Sequence, residues 1–237
     1  MKHSIQQRIR KKIMHNILIL VTNQGTLGEA KEKNGTYAPE LTHALHQFMD
    51  ANIAFDIASI DGGAAPLYGD DVDDGVNLEV LGDETVKTAL ANTSPLSDIK
   101  PEDYSAVFYP GGFGLLYDLA KSEAAGSVSA AIFENGGVIG AVCHGPAGLL
   151  PVTLSTGDNI MAHITVTGFT HEEEKDFGTI EKIPYLLEES LTRVAGQYSK
   201  KAPWVEFIVE QGKVITGQNP QSATAVAKAM VAQLTQA

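Results

Sequence analysis

The run Gly137-Val138-Ile139-Gly140-Ala141-Val142 leads without a break into Cys143-His144-Gly145-Pro146-Ala147. A short, uninterrupted apolar run is the sequence form of a strand buried on both faces of a parallel sheet. A strand that ends in a cysteine and restarts at once in small residues describes a nucleophile elbow, a sharp turn that lifts the side chain out of the sheet. The helix expected to follow would aim its first N–H groups at the thiol, favouring a thiolate and offering to hold an oxyanion. Cys143 is the only cysteine of the chain, so it is not half of an internal disulfide. In this setting a lone thiol reads as a reactive group rather than as a small buried hydrophobe.

The chain has 237 residues, 43% of them hydrophobic, enough for one large α/β domain or two small ones. Gly62 to Asp74 is rich in Gly, Ala, Pro and Asp, but the strand pattern resumes after it on the same plan. The expectation is therefore a single domain over 14–237, with 1–13 as an N-terminal extension. The formal net charge of −12 argues against nucleic acid or an anionic membrane as the main partner. One cysteine in the chain points to a reducing compartment, hence to the cytoplasm. The basic stretch Lys2–Lys12 before Ile17-Leu18-Ile19-Leu20-Val21 has the outline of a signal peptide. The apolar run is too short for one and no small-residue cleavage site follows, so it reads as the first core strand.

Short β-rich runs alternate with helical periods, as a parallel α/β sheet requires. The strands expected are Ile17–Val21, Ile53–Ser59, Ala106–Tyr109, Val138–Val142 and Ile160–Val166, with a hairpin of Val205–Val209 and Val214–Thr216 about Gln211-Gly212. Pro39 opens a helix with Leu41, Leu45, Phe48 and Met49 on one face, and Ser122 caps a helix running to Phe133. Pro184 opens another with Leu187, Leu191 and Val194 buried, and the last helix buries Val226, Met230 and Leu234.

Ligands of open α/β sheets sit at the carboxyl ends of the strands, where the loops after the first, third and elbow strands converge. The first leads to Glu40, which is either a carboxylate favoured by its helix dipole or a carboxyl group held near the thiol to share a proton. The next is Pro110-Gly111-Gly112-Phe113-Gly114, whose glycines allow close backbone approach and whose N–H groups could line an oxyanion hole. It lacks the third glycine of a dinucleotide fingerprint. His144 can offer its backbone N–H to the same hole, and its imidazole can act as a base if a carboxylate orients it. The run His171-Glu172-Glu173-Glu174 is a candidate source of that carboxylate, or an ordinary solvated helix start. His43 and His46 share a helix face without a third ligand at suitable spacing, so no metal site is expected.

From about His15 onward the chain resembles the ThiJ/PfpI superfamily, the class I glutamine-amidotransferase-like fold, and within it the branch of heat-inducible chaperones and glutathione-independent glyoxalases (glyoxalase III). The motifs that carry the resemblance are Asn34-Gly35-Thr36-Tyr37-Ala38-Pro39-Glu40-Leu41-Thr42-His43, Pro110–Gly114, Ala141–Ala147, Val166-Thr167-Gly168-Phe169-Thr170 with Glu174, and Thr216–Ser222. The resemblance implies a flavodoxin-like three-layer sandwich with a mostly parallel central sheet and a Cys nucleophile elbow. It implies Cys143 as nucleophile, Glu40 as the carboxyl group bonded to the thiol, His144 as the catalytic histidine and Glu174 as the acid orienting it, with Glu173 as the substitute. Gly111 and Gly112 would border the oxyanion hole, and Asn219 and Pro220 the pocket. The branch commonly carries histidine where Phe113 stands, so this pocket should be more apolar, and the substrate need not be the branch's usual one. Amidotransferases of this fold carry a downstream His-x-Glu pair, which this chain lacks, so glutamine hydrolysis is not implied.

The activity implied is a cofactor-independent conversion of small 2-oxoaldehydes such as methylglyoxal to 2-hydroxy acids through a Cys143 hemithioacetal, by a homodimer. The alternatives are a stress-related holdase chaperone that binds unfolded clients, a thiol redox sensor, and a cysteine hydrolase or peptidase using Cys143, His144 and Glu174.

Overall fold

The computed structural model describes residues 16–28 and 32–236, so the expected extension over 1–13 lies outside the described residues. Seven strands form one sheet: β1 (Asn16–Leu20), β2 (Ala54–Ser59), β3 (Ser94–Pro95), β4 (Ala106–Tyr109), β5 (Val138–Val142), β6 (Ile208–Gln211) and β7 (Val214–Gly217), in the order β6-β7-β5-β4-β1-β2-β3. Every pairing is parallel except β6 with β7. Residues 138–142 are buried throughout, as a strand covered on both faces must be.

The layers can be read from two neighbouring residues of β4. Phe108 packs edge-on against Phe48 of α1 (Ala38–Asp50), with ring centroids 5.8 Å apart. Tyr109 points to the opposite face, where its hydroxyl meets Ser129 Oγ at 2.6 Å. Adjacent strand residues face opposite ways, so α1 covers one face, and the helix Glu123–Glu134 that carries Ser129 covers the other. The C-terminal helix Ala223–Thr235 packs beside α1, and its Met230 fills the space that a side chain on Gly140 would need.

The chain leaves β1 toward β2 and β3 on one side, and builds β4, β5 and β7 on the other. The strand order therefore reverses between β1 and β4, and the crevice at their carboxyl ends is where such sheets place ligands. The loops after β1, β4 and β5 carry Glu40, Gly111–Phe113 and Cys143 to that crevice.

Several expected elements are shorter or displaced. Strand structure in Ile160–Val166 is confined to Thr165–Val166, which pairs with Gln197–Tyr198 apart from the main sheet. The first hairpin strand begins at Ile208, and Val205 is exposed. The helix after Pro184 begins at Leu187. Met49 is exposed rather than on the buried stripe of α1, because Leu41, Leu45 and Phe48 already fill the face toward the sheet. Gly62–Asp74 is not purely a surface loop: Leu67–Tyr68 pairs in parallel with Thr36–Tyr37. Two short helices, Gly75–Gly82 and Glu84–Ala91, follow it and are capped by Asp74 and Asp83.

The Phe48–Phe108 contact lies inside the layer that fixes α1, and through it Glu40. Phe48→Ala should destabilise the fold by about 3–5 kcal/mol, read as a lower denaturation midpoint with an unchanged denaturant slope.

Candidate active site

Cys143 follows β5 with φ 59°, in the left-handed region that only glycine enters at little cost. Two backbone bonds hold it there. Its N–H donates to Gly217 O at 2.9 Å, and its carbonyl accepts from the Phe169 N–H at 2.9 Å. The segment that follows, Gly145–Leu149, is one short 3₁₀ stretch rather than the α-helix expected. Gly145 is required where it stands, because a side chain there would run into the Tyr109 carbonyl.

His144 turns back toward the thiol, with Nδ1 3.3 Å from Cys143 Sγ and Nε2 2.7 Å from Glu174 Oε1. A carboxylate can only accept, so Nε2 carries the hydrogen, and the Nδ1 of a neutral ring presents its lone pair to the thiol. The second Glu174 oxygen accepts from the Thr179 hydroxyl. Both His144 and Glu174 are about 1% exposed.

Glu173 is otherwise engaged. Its Oε2 accepts from the Thr170 N–H and hydroxyl, each at 2.9 Å, closing a capping box at the start of the helix His171–Phe177. Its Oε1 accepts from the Trp204 N–H at 2.9 Å, Gln218 Nε2 at 3.0 Å and Asn219 Nδ2 at 2.8 Å. Glu174, not Glu173, is thus the partner of His144, and the acidic run is half core rather than a solvated helix start.

Glu40 is fully buried, and neither of its oxygens has a partner at full hydrogen-bond geometry among the described residues. Burial pushes its carboxyl up to about 8 and the charge of Glu173 adds to the rise, while the facing Cys143 thiol and Gly111 backbone offset part of it. Burial likewise pushes the Cys143 thiol well above the ordinary thiol range, reinforced by the facing Glu40 carboxyl once it ionises and by the negative charges of Glu173 and Glu174. The expected helix is a single 3₁₀ stretch, and burial acts on the thiol in the direction opposite to a helix dipole.

These groups open into a cavity of about 140 Å³ lined by Tyr37, Glu40, Tyr68, Phe113, Cys143, His144, Phe169, Phe177, Trp204, Pro220 and Gln221. Phe113 points inward and packs on the His144 ring at 4.5 Å. Gly111 and Gly112 lie behind this wall, Gly112 at φ 122°, where a side chain would meet the Gly35 carbonyl. Asn219 does not line the cavity; its side chain holds Glu173 and the Val205 carbonyl and leaves Pro220 at the wall. Among the described residues there is no group of three His, Cys, Asp or Glu that could hold a metal. His43 bonds Asp74 at 3.0 Å instead. No helix of the described residues is long and apolar enough to cross a membrane.

A sequence model of the DJ-1/PfpI family matches residues 33–233. The chain belongs to the DJ-1/PfpI family. Glyoxalase 3 of Candida albicans is 30% identical over 235 residues, covering 91% of this chain and 96% of that protein. Glutathione-independent glyoxalase HSP31 of Saccharomyces cerevisiae is 28% identical over 210 residues, 82% of this chain and 87% of that protein. Among solved structures, the Rapid Encystment Protein 24 KDa of Francisella tularensis superposes with a TM-score of 0.89 at 37% identity, over 93% of this chain and 99% of that one. Glyoxalase III from Candida albicans superposes with a TM-score of 0.82 at 27% identity, over 92% and 97%.

Within this DJ-1/PfpI site, sequence motifs led to Cys143, His144, Glu40, Glu174, Phe113 and Pro220. Phe169 and Gln221 also lie within those motifs, in the Val166–Thr170 and Thr216–Ser222 stretches; the motifs did not lead to Tyr68, Phe177, Trp204 or Thr179. The one usable signal was that Trp204 is the only tryptophan of the chain.

The buried Glu40 makes a signed pH prediction. Its carboxyl is raised from 4.5 to about 8 on folding, so the folded state holds a proton that the unfolded state has lost. Stability from this group is present below about pH 4.5 and is lost as pH rises through about 8. Glu40→Gln cannot ionise. Wild-type stability relative to this variant should therefore fall across that interval, as measured by chemical denaturation at a series of pH values. A constant difference would show that Glu40 is not held protonated.

Proposed function

We propose that this protein is a glutathione-independent glyoxalase that converts small 2-oxoaldehydes to 2-hydroxy acids, a cofactor-independent lyase. The observation that carries the reading is the continuous chain from Cys143 Sγ to His144 Nδ1 and from Nε2 to Glu174, at the floor of a small, largely aromatic cavity. The glyoxalase names of its relatives support it.

Burial pushes the Cys143 thiol up, and His144 Nδ1 lies 3.3 Å from Sγ, so attack on the aldehyde carbon couples to transfer of the S–H proton to His144 Nδ1, while Glu174 stabilises the imidazolium that forms. The S–C bond closes, and the former aldehyde oxygen takes a proton to give a hemithioacetal. The hydrogen on that carbon then leaves as a proton to a base, and a proton returns to the neighbouring carbon through an enediol. The first carbon is oxidised to a thioester and the second reduced to a carbinol. Because the redox change is internal to the substrate, no external oxidant or reductant is needed. Water cleaves the thioester and restores the thiol. Glu40, protonated near neutrality and facing Cys143, is placed to donate to the oxygen that gains charge. The Gly112 and His144 N–H groups, which donate to no protein acceptor among the described residues, are candidates for the same task.

A hydrolase would use the same three residues, but a cavity of about 140 Å³ is small for an extended peptide.

The test is methylglyoxal consumption without glutathione, with lactate as the product measured. Cys143→Ala should abolish turnover, and wild-type rates in that variant would sink the reading. Glu174→Gln keeps the shape but not the charge that supports the imidazolium, and should lower kcat by roughly 10²–10⁴.

A further inference from the structure

The aromatic residues of the cavity form a closed circuit. Phe113 contacts Phe177 at 5.8 Å between ring centroids, Phe177 contacts Trp204 at 6.3 Å, and Trp204 contacts Phe169 at 5.7 Å. Phe169 contacts His144 at 4.6 Å, and His144 returns to Phe113 at 4.5 Å. Neighbouring rings are inclined by 35° to 70°, so they stand around a space rather than stacking it shut. Tyr68 backs Phe113 at 6.1 Å. The circuit has a floor and a rim. Cys143 at the floor is 4% exposed, whereas Phe177 is 56% exposed, although a large apolar side chain ordinarily turns inward. No lysine or arginine lines the cavity; its ionisable groups are Glu40, Cys143, His144 and two tyrosines.

We infer that the Phe113–Phe177–Trp204 side of this circuit selects 2-oxoaldehydes that carry an aryl group in place of methyl. The inference rests on the reading that Cys143 attacks the aldehyde carbon. With that carbon at Sγ on the floor, the substituent on the ketone carbon is directed toward the rim. A methyl group is too short to cover Phe177 and Trp204, which stay wet. A phenyl group meets both at the centroid separations that aromatic pairs favour. An anionic substituent finds no lysine or arginine there, and a polar one meets only the Tyr37 and Tyr68 hydroxyls and the Gln221 amide in a wall that is otherwise aromatic. The contact forms in the ground state and persists through the reaction, so it lowers KM more than it raises kcat. For phenylglyoxal the steps are those given above, and one water is consumed to yield mandelate.

The experiment compares phenylglyoxal, methylglyoxal and 3-deoxyglucosone, the last similar in size to phenylglyoxal but polar, all without glutathione and with the 2-hydroxy acid quantified. Phenylglyoxal should exceed both in kcat/KM by at least tenfold, chiefly through KM. Phe177→Ala should lower kcat/KM for phenylglyoxal more than for methylglyoxal and bring their ratio below about threefold. Binding is read separately through Trp204 fluorescence: acetophenone, which has no aldehyde to react, should quench it at concentrations where acetone does not. Equal or better use of methylglyoxal or 3-deoxyglucosone overturns the inference while leaving the Cys143 chemistry intact. So does an unchanged ratio in Phe177→Ala, or no quenching by acetophenone. If folded wild-type protein turns over none of the three, the underlying reading fails and the inference fails with it.

Discussion

The site depends on how hydrogen-bond donors are shared among three buried carboxyl groups. Glu173 receives five donors, from the Thr170 N–H and hydroxyl, the Trp204 N–H and two side-chain amides. Glu174 receives the His144 ring N–H and the Thr179 hydroxyl. Glu40 has neither oxygen fully partnered and instead holds its proton toward neutrality. Burying a carboxylate is tolerable where donors replace its water, and where they are lacking the group neutralises. One local cluster thus yields an acceptor that can support an imidazolium and an acid that can donate, from chemically identical side chains.

The backbone at Cys143 is part of the same constraint. A left-handed non-glycine residue costs about 1–2 kcal/mol and persists only when its surroundings determine it from several sides. Here β7 takes the N–H, Phe169 caps the carbonyl, and the glycines at 145 and 148 fit against Tyr109 where any side chain would collide. The loop that supplies Phe169 also supplies Thr170, the N-cap of the helix bearing Glu173 and Glu174. Displacing that loop would loosen the cysteine, its histidine and the acid together, because one short segment touches all three.

The parts of this arrangement that are local in sequence were legible there. The VIGAV strand, the break at Cys143, the Pro39 helix start that carries Glu40, and the Gly111-Gly112 turn each follow from a few adjacent residues. What stayed hidden depends on contacts across long separations. Glu173 and Glu174 are neighbours in one run, and only the packing against Trp204, Gln218 and Asn219 shows which of them is occupied. Tyr68 lies in a stretch whose Gly, Pro and Asp content reads as loop, and its two-residue strand exists only because Thr36–Tyr37 lies beside it. The Asp74 and Asp83 caps were visible signals for two helices that apolar periodicity alone did not mark. The sign of the thiol shift was beyond reach for a related reason: a dipole can be guessed from chain order, but desolvation needs to know what covers the group.

A thiol pushed upward is consistent with catalysis once its surroundings are considered with it. A thiolate at rest would be buried near the Glu173 and Glu174 carboxylates in a cavity with no lining cation, an unfavourable place for a further negative charge. A neutral thiol carries no such penalty. Its proton has a defined acceptor 3.3 Å away at His144 Nδ1, whose ring is held between Phe113 and Phe169. In the proposed addition, charge would develop only as the S–C bond forms. The negative end would fall on the substrate oxygen, facing the protonated Glu40, and the positive end on the imidazole, beside Glu174. An arrangement that disfavours the free thiolate would thus favour the charge distribution of the addition step, which is the differential stabilisation that accelerates a reaction.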